Sequence, residues 1–152
     1  MKEEKIILHH LGLGDHIICN GMVRELCKDI KKLHYPVKFH NLQNIKRMFS
    51  DLESKLKFVP VFNDSDMLAY ADNFTADKRI NIGIFKNPID LRLKEFGEVF
   101  YRHAGMEYSV RWDSFFVDFS SLNSIEDYRG ENIFVHDDGS RNLSINKSYT
   151  DG

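Results

Sequence analysis

Lys5-Ile6-Ile7-Leu8-His9-His10-Leu11-Gly12-Leu13-Gly14-Asp15-His16-Ile17-Ile18 decides the fold. The apolar run Ile6 to Leu8 reads as a buried strand, and a helical pattern starts directly after Asp15. Gly12 and Gly14 fall between them. Glycine lets a backbone approach a ligand closely, and a helix start offers unpaired N–H groups and a positive dipole end. A strand, a glycine turn and a helix N-terminus together make the usual ligand edge of an α/β sheet.

The rest of the chain repeats this alternation. A first helix is expected from about His16 to Leu33, with Ile18, Met22, Leu26 and Ile30 on its apolar face and Arg24, Glu25 and Lys28 on the solvent side. Gly21 within it suggests close packing against the sheet. Tyr35-Pro36 reads as a break, and Val37 to His40 as strand two. A helix over Leu42–Leu52 and a strand over Lys57–Phe62 follow, with Pro60 pointing to an edge position. Asp64 or Ser65 is the expected cap of the next helix. Ile80, Ile82 and Ile84 alternate as strand four over Arg79–Phe85. Asn87-Pro88 makes a turn, a helix spans Leu91–Ala104, and Gly105 takes its C-cap. Ile133-Phe134-Val135 is a last strand, ending in His136-Asp137-Asp138-Gly139-Ser140-Arg141. The expectation is an α/β, Rossmann-like three-layer sandwich with a mostly parallel sheet and helices on both faces.

Composition sets outer limits. A chain of 152 residues with 42% hydrophobic and 29% charged residues suits one globular domain. A net charge of −2 without a basic block argues against nucleic-acid binding. No apolar run reaches the roughly 20 residues that span a bilayer. The first residues hold no signal-peptide core, so a cytoplasmic protein is expected. Cys19 and Cys27 lie on one predicted helix, roughly 12 Å apart, too far to pair with each other.

The motifs narrow the chemistry. A dinucleotide fingerprint would need a third glycine where Ile17 stands, and an acidic residue where His40 and Asn41 follow strand two. No phosphate-loop Gly-Lys-Ser/Thr and no Gly-x-Ser-x-Gly elbow occurs. No cofactor is expected. Asp15 offers two readings: a general base toward a docked hydroxyl, or a helix cap. A capping carboxylate is held as the anion and is the weaker base. His9, His10 and His16 surround the same turn, and His136 and Asp137 follow another strand. They read as polar groups lining a cleft in preference to metal ligands, since no His-x-x-x-His spacing occurs. Ser140 and Arg141 could hold a phosphate, or simply form a glycine turn. Arg111-Trp112 reads as packing in preference to a cation–aromatic pair, and His34, His40 and His103 as surface or structural residues.

Leu11-Gly12-Leu13-Gly14-Asp15-His16-Ile17-Ile18 resembles the N-terminal motif of the glycosyltransferase family 9 group, which includes the lipopolysaccharide heptosyltransferases. Phe100 to Gly105 with Arg111-Trp112, and Phe134 to Arg141, are similar to segments of less characterised relatives of those enzymes. The resemblance implies the N-terminal half of a GT-B architecture: an acceptor-side domain facing a donor domain across a cleft, with inverting, metal-independent transfer from a nucleotide sugar. By motif match it makes Asp15 the base and Gly12 and Gly14 the turn beside the donor phosphates. Ser140 and Arg141 would lie where a second half begins. His16, His136 and Asp137 are the other expected ligand-binding residues. The expected division is an acceptor-side domain over 1–138 and a polar tail over 139–152, the start of an otherwise missing donor domain. A partner chain or homodimer would then replace that half. The alternatives are a non-catalytic Rossmann-like module that binds a ligand or protein, and a metal-dependent hydrolase using His9, His10, His16, His136 and Asp137.

Overall fold

The computed structural model describes residues 3–86 and 96–118. The Asn87-Pro88 turn, Leu91 and Leu93, the strand expected at 133–135, and His136, Asp137, Asp138, Ser140 and Arg141 lie outside them. So does the boundary expected at residue 138. Four strands, β1 (Glu4–Leu8), β2 (Lys32–Lys38), β3 (Leu56–Val61) and β4 (Arg79–Asn81), form one sheet in the order β3-β2-β1-β4. Every pairing is parallel. The helices are α1 (Leu13–Ile18), α2 (Asn20–Asp29), α3 (Leu42–Met48), α4 (Asp64–Ala71), α5 (Phe96–His103) and α6 (Val110–Asp113). None is long and apolar enough to cross a membrane among the described residues.

Alternation along each strand builds a core on both faces of the sheet. Ile7, Leu33, Tyr35, Val37, Leu56 and Ile82 face α2, α3 and α5, meeting Met22, Val23, Ile45, Phe49 and Phe100. Ile6, Leu8, Val59 and Val61 face the other way, onto Met67 and Ala71 of α4. The mixed α/β class and the helices on both faces stand as the alternation predicts.

The expected first helix is interrupted. In a continuous helix the Met22 N–H would bond the Ile18 carbonyl. The Tyr101 hydroxyl sits in that gap instead, donating to the Ile18 carbonyl at 2.8 Å and accepting from the Met22 N–H at 3.3 Å. Insertion into the ladder breaks it at Cys19. Gly21 faces α6 and not the sheet: a Cβ there would collide with the Val110 carbonyl and approach the Arg111 Cα to 3.2 Å.

Strand two starts at Lys32, five residues before the expected Val37, and runs through Tyr35-Pro36. Leu33 donates to Lys55 beside β3, so Leu33, Tyr35 and Val37 turn their backbone groups toward β3. Pro36 faces the opposite side, where pairing with β1 extends to Ile6↔His34 and the His9 imidazole takes the Pro36 carbonyl. The ladder with β1 ends just before Pro36, which has no N–H to continue it. Pro60 lies on β3, the sheet edge among the described residues, as expected.

Three further expectations shift. The helix after Leu42 ends at Met48 and continues as a 3-10 turn over Ser50–Leu52. Asn63 caps α4, in place of Asp64 or Ser65, by accepting from the Asp66 N–H at 3.1 Å. Strand four stops at Asn81 because Gly83 adopts φ +61° and opens a 3-10 turn over Gly83–Phe85. Gly105 does close α5, at φ +74°. The Met106 N–H reaches the Tyr101 carbonyl and the Gly105 N–H the Arg102 carbonyl, the two bonds of a Schellman motif.

Candidate functional site

All four strands end at one edge, and the glycine turn after β1 lies on it. Gly12 is the N-cap of α1, and Asp15 sits in its first turn. The Asp15 carboxylate lies against the Gly12 backbone, whose N–H favours its charged form. A Cβ on Gly12 would lie 2.6 Å from Asp15 Oδ2, so the carboxylate would have to shift to admit a side chain there. Gly14 has nothing within 4 Å of where a Cβ would stand. The strong acid expected of a capping carboxylate is not what the structure gives at Asp15. Burial pushes its carboxyl above the ordinary range, and the His10 imidazole, the Gly12 N–H and Lys38 only partly oppose this.

The three histidines divide. His9 and His16 are fully enclosed beneath the turn. The His9 ring stacks on Tyr35 at 4.8 Å with a 7° interplanar angle and meets the His16 ring edge-on at 4.8 Å. His9 Nε2–H donates to the Pro36 carbonyl at 3.1 Å, and His16 Nδ1 bonds the Tyr35 hydroxyl at 2.8 Å. His9 Nδ1 and His16 Nε2 have no hydrogen-bond partner among the described residues. Burial pushes His9 down to about 4 and His16 to about 2, so both are uncharged near neutral pH. His16, expected to bind a ligand, instead supports the turn from below.

His10 lies on the outer side of the turn and is only half-buried. Its Nε2 accepts from the Ile84 N–H at 3.2 Å, which leaves the proton on Nδ1. Phe100, Phe96 and Phe85 surround the ring at 5.0, 5.5 and 6.2 Å between centroids. A Cβ on Gly83 would strike His10 Nε2, so the left-handed glycine is what lets β4 come this close. His10 feels the charges of Asp15 and Asp64, and Asp15 feels Lys38. Lys38 and Asp64 were not among the expected site residues. Each adjoins the C-terminal end of a strand, and in a parallel sheet those ends converge, which is the signal that locates them.

Elsewhere the polar groups are structural. Arg24, expected on a solvated face, is bidentate to Asp51 at 2.6 and 3.1 Å and donates to the Phe116 carbonyl at 2.7 Å. Asn20 grips both backbone groups of Phe116, at 3.1 Å each. His34 is buried between Tyr70 and Glu4, at 2.8 and 3.1 Å, as a structural histidine. Arg111 lies 4.4 Å over the Trp112 ring, which is exposed, so this is a cation–aromatic pair in place of the expected packing. Cys19 and Cys27 are buried thiols, both raised by burial. Among the described residues no group of three or more His, Cys, Asp or Glu side chains could hold a metal ion. Among the described residues, grooves away from the glycine turn include one beside Glu4, Lys31 and Lys78 and another beside Glu25, Cys27 and Lys55.

No protein-family model, curated protein or solved structure matches this chain.

Proposed function

We propose that this chain provides the acceptor side of an inverting sugar transfer from a nucleotide-sugar donor, with Asp15 as the general base. The observation that carries the reading is the Asp15 carboxylate at the open edge of a parallel sheet, half-buried and raised by that burial. The Leu11–Ile18 motif and its resemblance to glycosyltransferase family 9 supply the reaction class. In the reaction an acceptor hydroxyl oxygen bonds to the anomeric carbon of the donor. The bond from that carbon to the donor phosphate breaks, the nucleoside diphosphate leaves with the electron pair, and Asp15 takes the hydroxyl proton. The donor half of this Rossmann-like, GT-B arrangement comes from a partner chain, a second copy or further sequence. Ser140, Arg141, His136 and Asp137 belong to the proposal by motif match alone.

Two measurements test this. Methyl glycosides and nucleotide sugars are screened for a rise in melting temperature, which any ligand of the native state must give. With a donor half supplied, release of nucleoside diphosphate is compared between the native chain and Asp15→Asn. Loss of general-base catalysis lowers the rate by about 10²–10⁴-fold. Unchanged release in Asp15→Asn, or no response to any sugar, removes the reading. Leu13 and Ile17 are exposed on α1 and favour a second reading, a non-catalytic binding module. A bound sugar or protein without transfer would select it.

A further inference from the structure

Phe39 follows β2 and Phe62 follows β3, so both emerge at the edge that carries Asp15. Phe39 is 65% exposed and Phe62 79%, yet their rings stack 6.3 Å apart at 24°. Neither stands on a loose loop. Phe39 opens the 3-10 turn Phe39–Asn41, which leads directly into α3. The Phe62 N–H is fixed by Asp66 Oδ2 at 2.9 Å, within the same cap in which Asn63 accepts from Asp66. Two adjacent strand ends therefore hold a pair of exposed, near-parallel aromatic rings, a shelf whose outer faces are flat and apolar. Groups of both signs line the same edge: the carboxylates of Asp15 and Asp64, the Lys38 ammonium and the His10 imidazole.

A flat apolar surface with hydrogen-bond donors and acceptors beside it suits a ligand of the same mixed character. A pyranose ring has one, with C–H groups on a face and hydroxyls around the rim. Carboxylates accept from hydroxyls, and ammonium and imidazole N–H donate to them. An anionic lipid surface fits worse, since Asp15, Asp64 and Asp66 would be carried toward like charge.

Resting on the acceptor-side reading, we infer that Phe39 and Phe62 form the specificity-determining shelf on which the acceptor's sugar ring lies, with its hydroxyl edge toward Asp15.

Saturation-transfer NMR on the full chain, with methyl glycosides of hexoses and heptoses as probes, tests this. The ring C–H protons of one face receive the strongest saturation. Phe39→Ala and Phe62→Ala each weaken binding about tenfold, the effect of roughly 1.4 kcal/mol. Phe62→Trp restores it, and Leu68→Ala, at an exposed apolar residue of α4, leaves it unchanged. Melting curves confirm that each variant folds. Binding by both alanine variants as tight as by the native chain overturns the shelf and leaves the acceptor reading standing. No binding of any glycoside by the native chain overturns both. Sedimentation gives a third outcome: a dimer that the alanine variants dissociate makes the shelf a contact between copies and overturns the inference.

Discussion

His9 and His16 lie beneath the glycine turn, enclosed and uncharged, while His10 and Asp15, each one residue away, lie on its outer side and are only half-buried. Alternation along the extended backbone sends His9 and His10 opposite ways. The first turn of α1 does the same for Asp15 and His16. The lower pair spends its polar atoms on Tyr35 and Pro36 and holds the turn in place. The upper pair keeps its charge states responsive to Lys38 and Asp64. A cluster of histidines around a turn is thus two systems, one enclosed and supporting, the other at the open edge with its charged neighbours.

The largest expected effect breaks the lower system. Tyr35→Ala removes a buried ring under both histidines and should cost about 3–5 kcal/mol in urea unfolding. Tyr35→Phe, which only strips the partner of His16 Nδ1, should cost about 1–3 kcal/mol. A near-zero cost for both would mean that the turn does not depend on the histidine stack.

Acid sharpens the contrast next. The folded values of His9 and His16 lie below their ordinary 6.5, so the unfolded chain binds more protons as pH falls. Their stabilisation is complete above that value and is lost on descending toward about 4, at about 1.4 kcal/mol per pH unit for each group. Asp15 has the opposite sign: its carboxyl is raised, so its contribution is lost as pH climbs from 3.8 through the folded value. Glu4, Glu25, Asp51 and Asp77 are lowered carboxylates whose contributions are lost only below their ordinary 4.5 or 3.8. His10, also lowered by burial, adds to His9 and His16 with the same sign, so unfolding free energies measured between about pH 7 and pH 5 should fall steeply, and His16→Leu should make that slope shallower. An unaltered slope in that variant would assign the titration to other groups.

The smallest effect probes the upper system. Gly14→Ala meets open space inside a helix and should stabilise by about 0.5–1 kcal/mol. If a ligand approaches this turn closely, the same methyl group weakens sugar binding while the melting temperature rises. Unchanged binding would place the ligand away from Gly14.

Much of the fold is legible because its signals are local. Ile6 and Leu8 against Ile7, and Val59 and Val61 against Leu56 and Phe58, carry the strand period that divides the two faces. The glycine turn marks the edge on which Asp15 stands. Other features depend on distant partners. The break at Cys19 is made by a hydroxyl from Tyr101. Pro36 sits within β2 where the ladder with β1 has ended and its carbonyl meets His9. Arg24 leaves the solvated face because Asp51 and the Phe116 carbonyl are there to receive it.

The sequence by itself determined the strand–turn–helix opening, the α/β alternation and the place of Asp15 at a helix start, since each is written in periods of a few residues and in glycine positions. Only the tertiary structure decided which histidines are silent, that the Asp15 carboxyl is raised instead of lowered, and that the rings of Phe39 and Phe62 meet at the same edge of the sheet. Those are matters of burial and of convergence at the ends of parallel strands. They depend on what packs against a residue, and the linear order of the chain does not contain that.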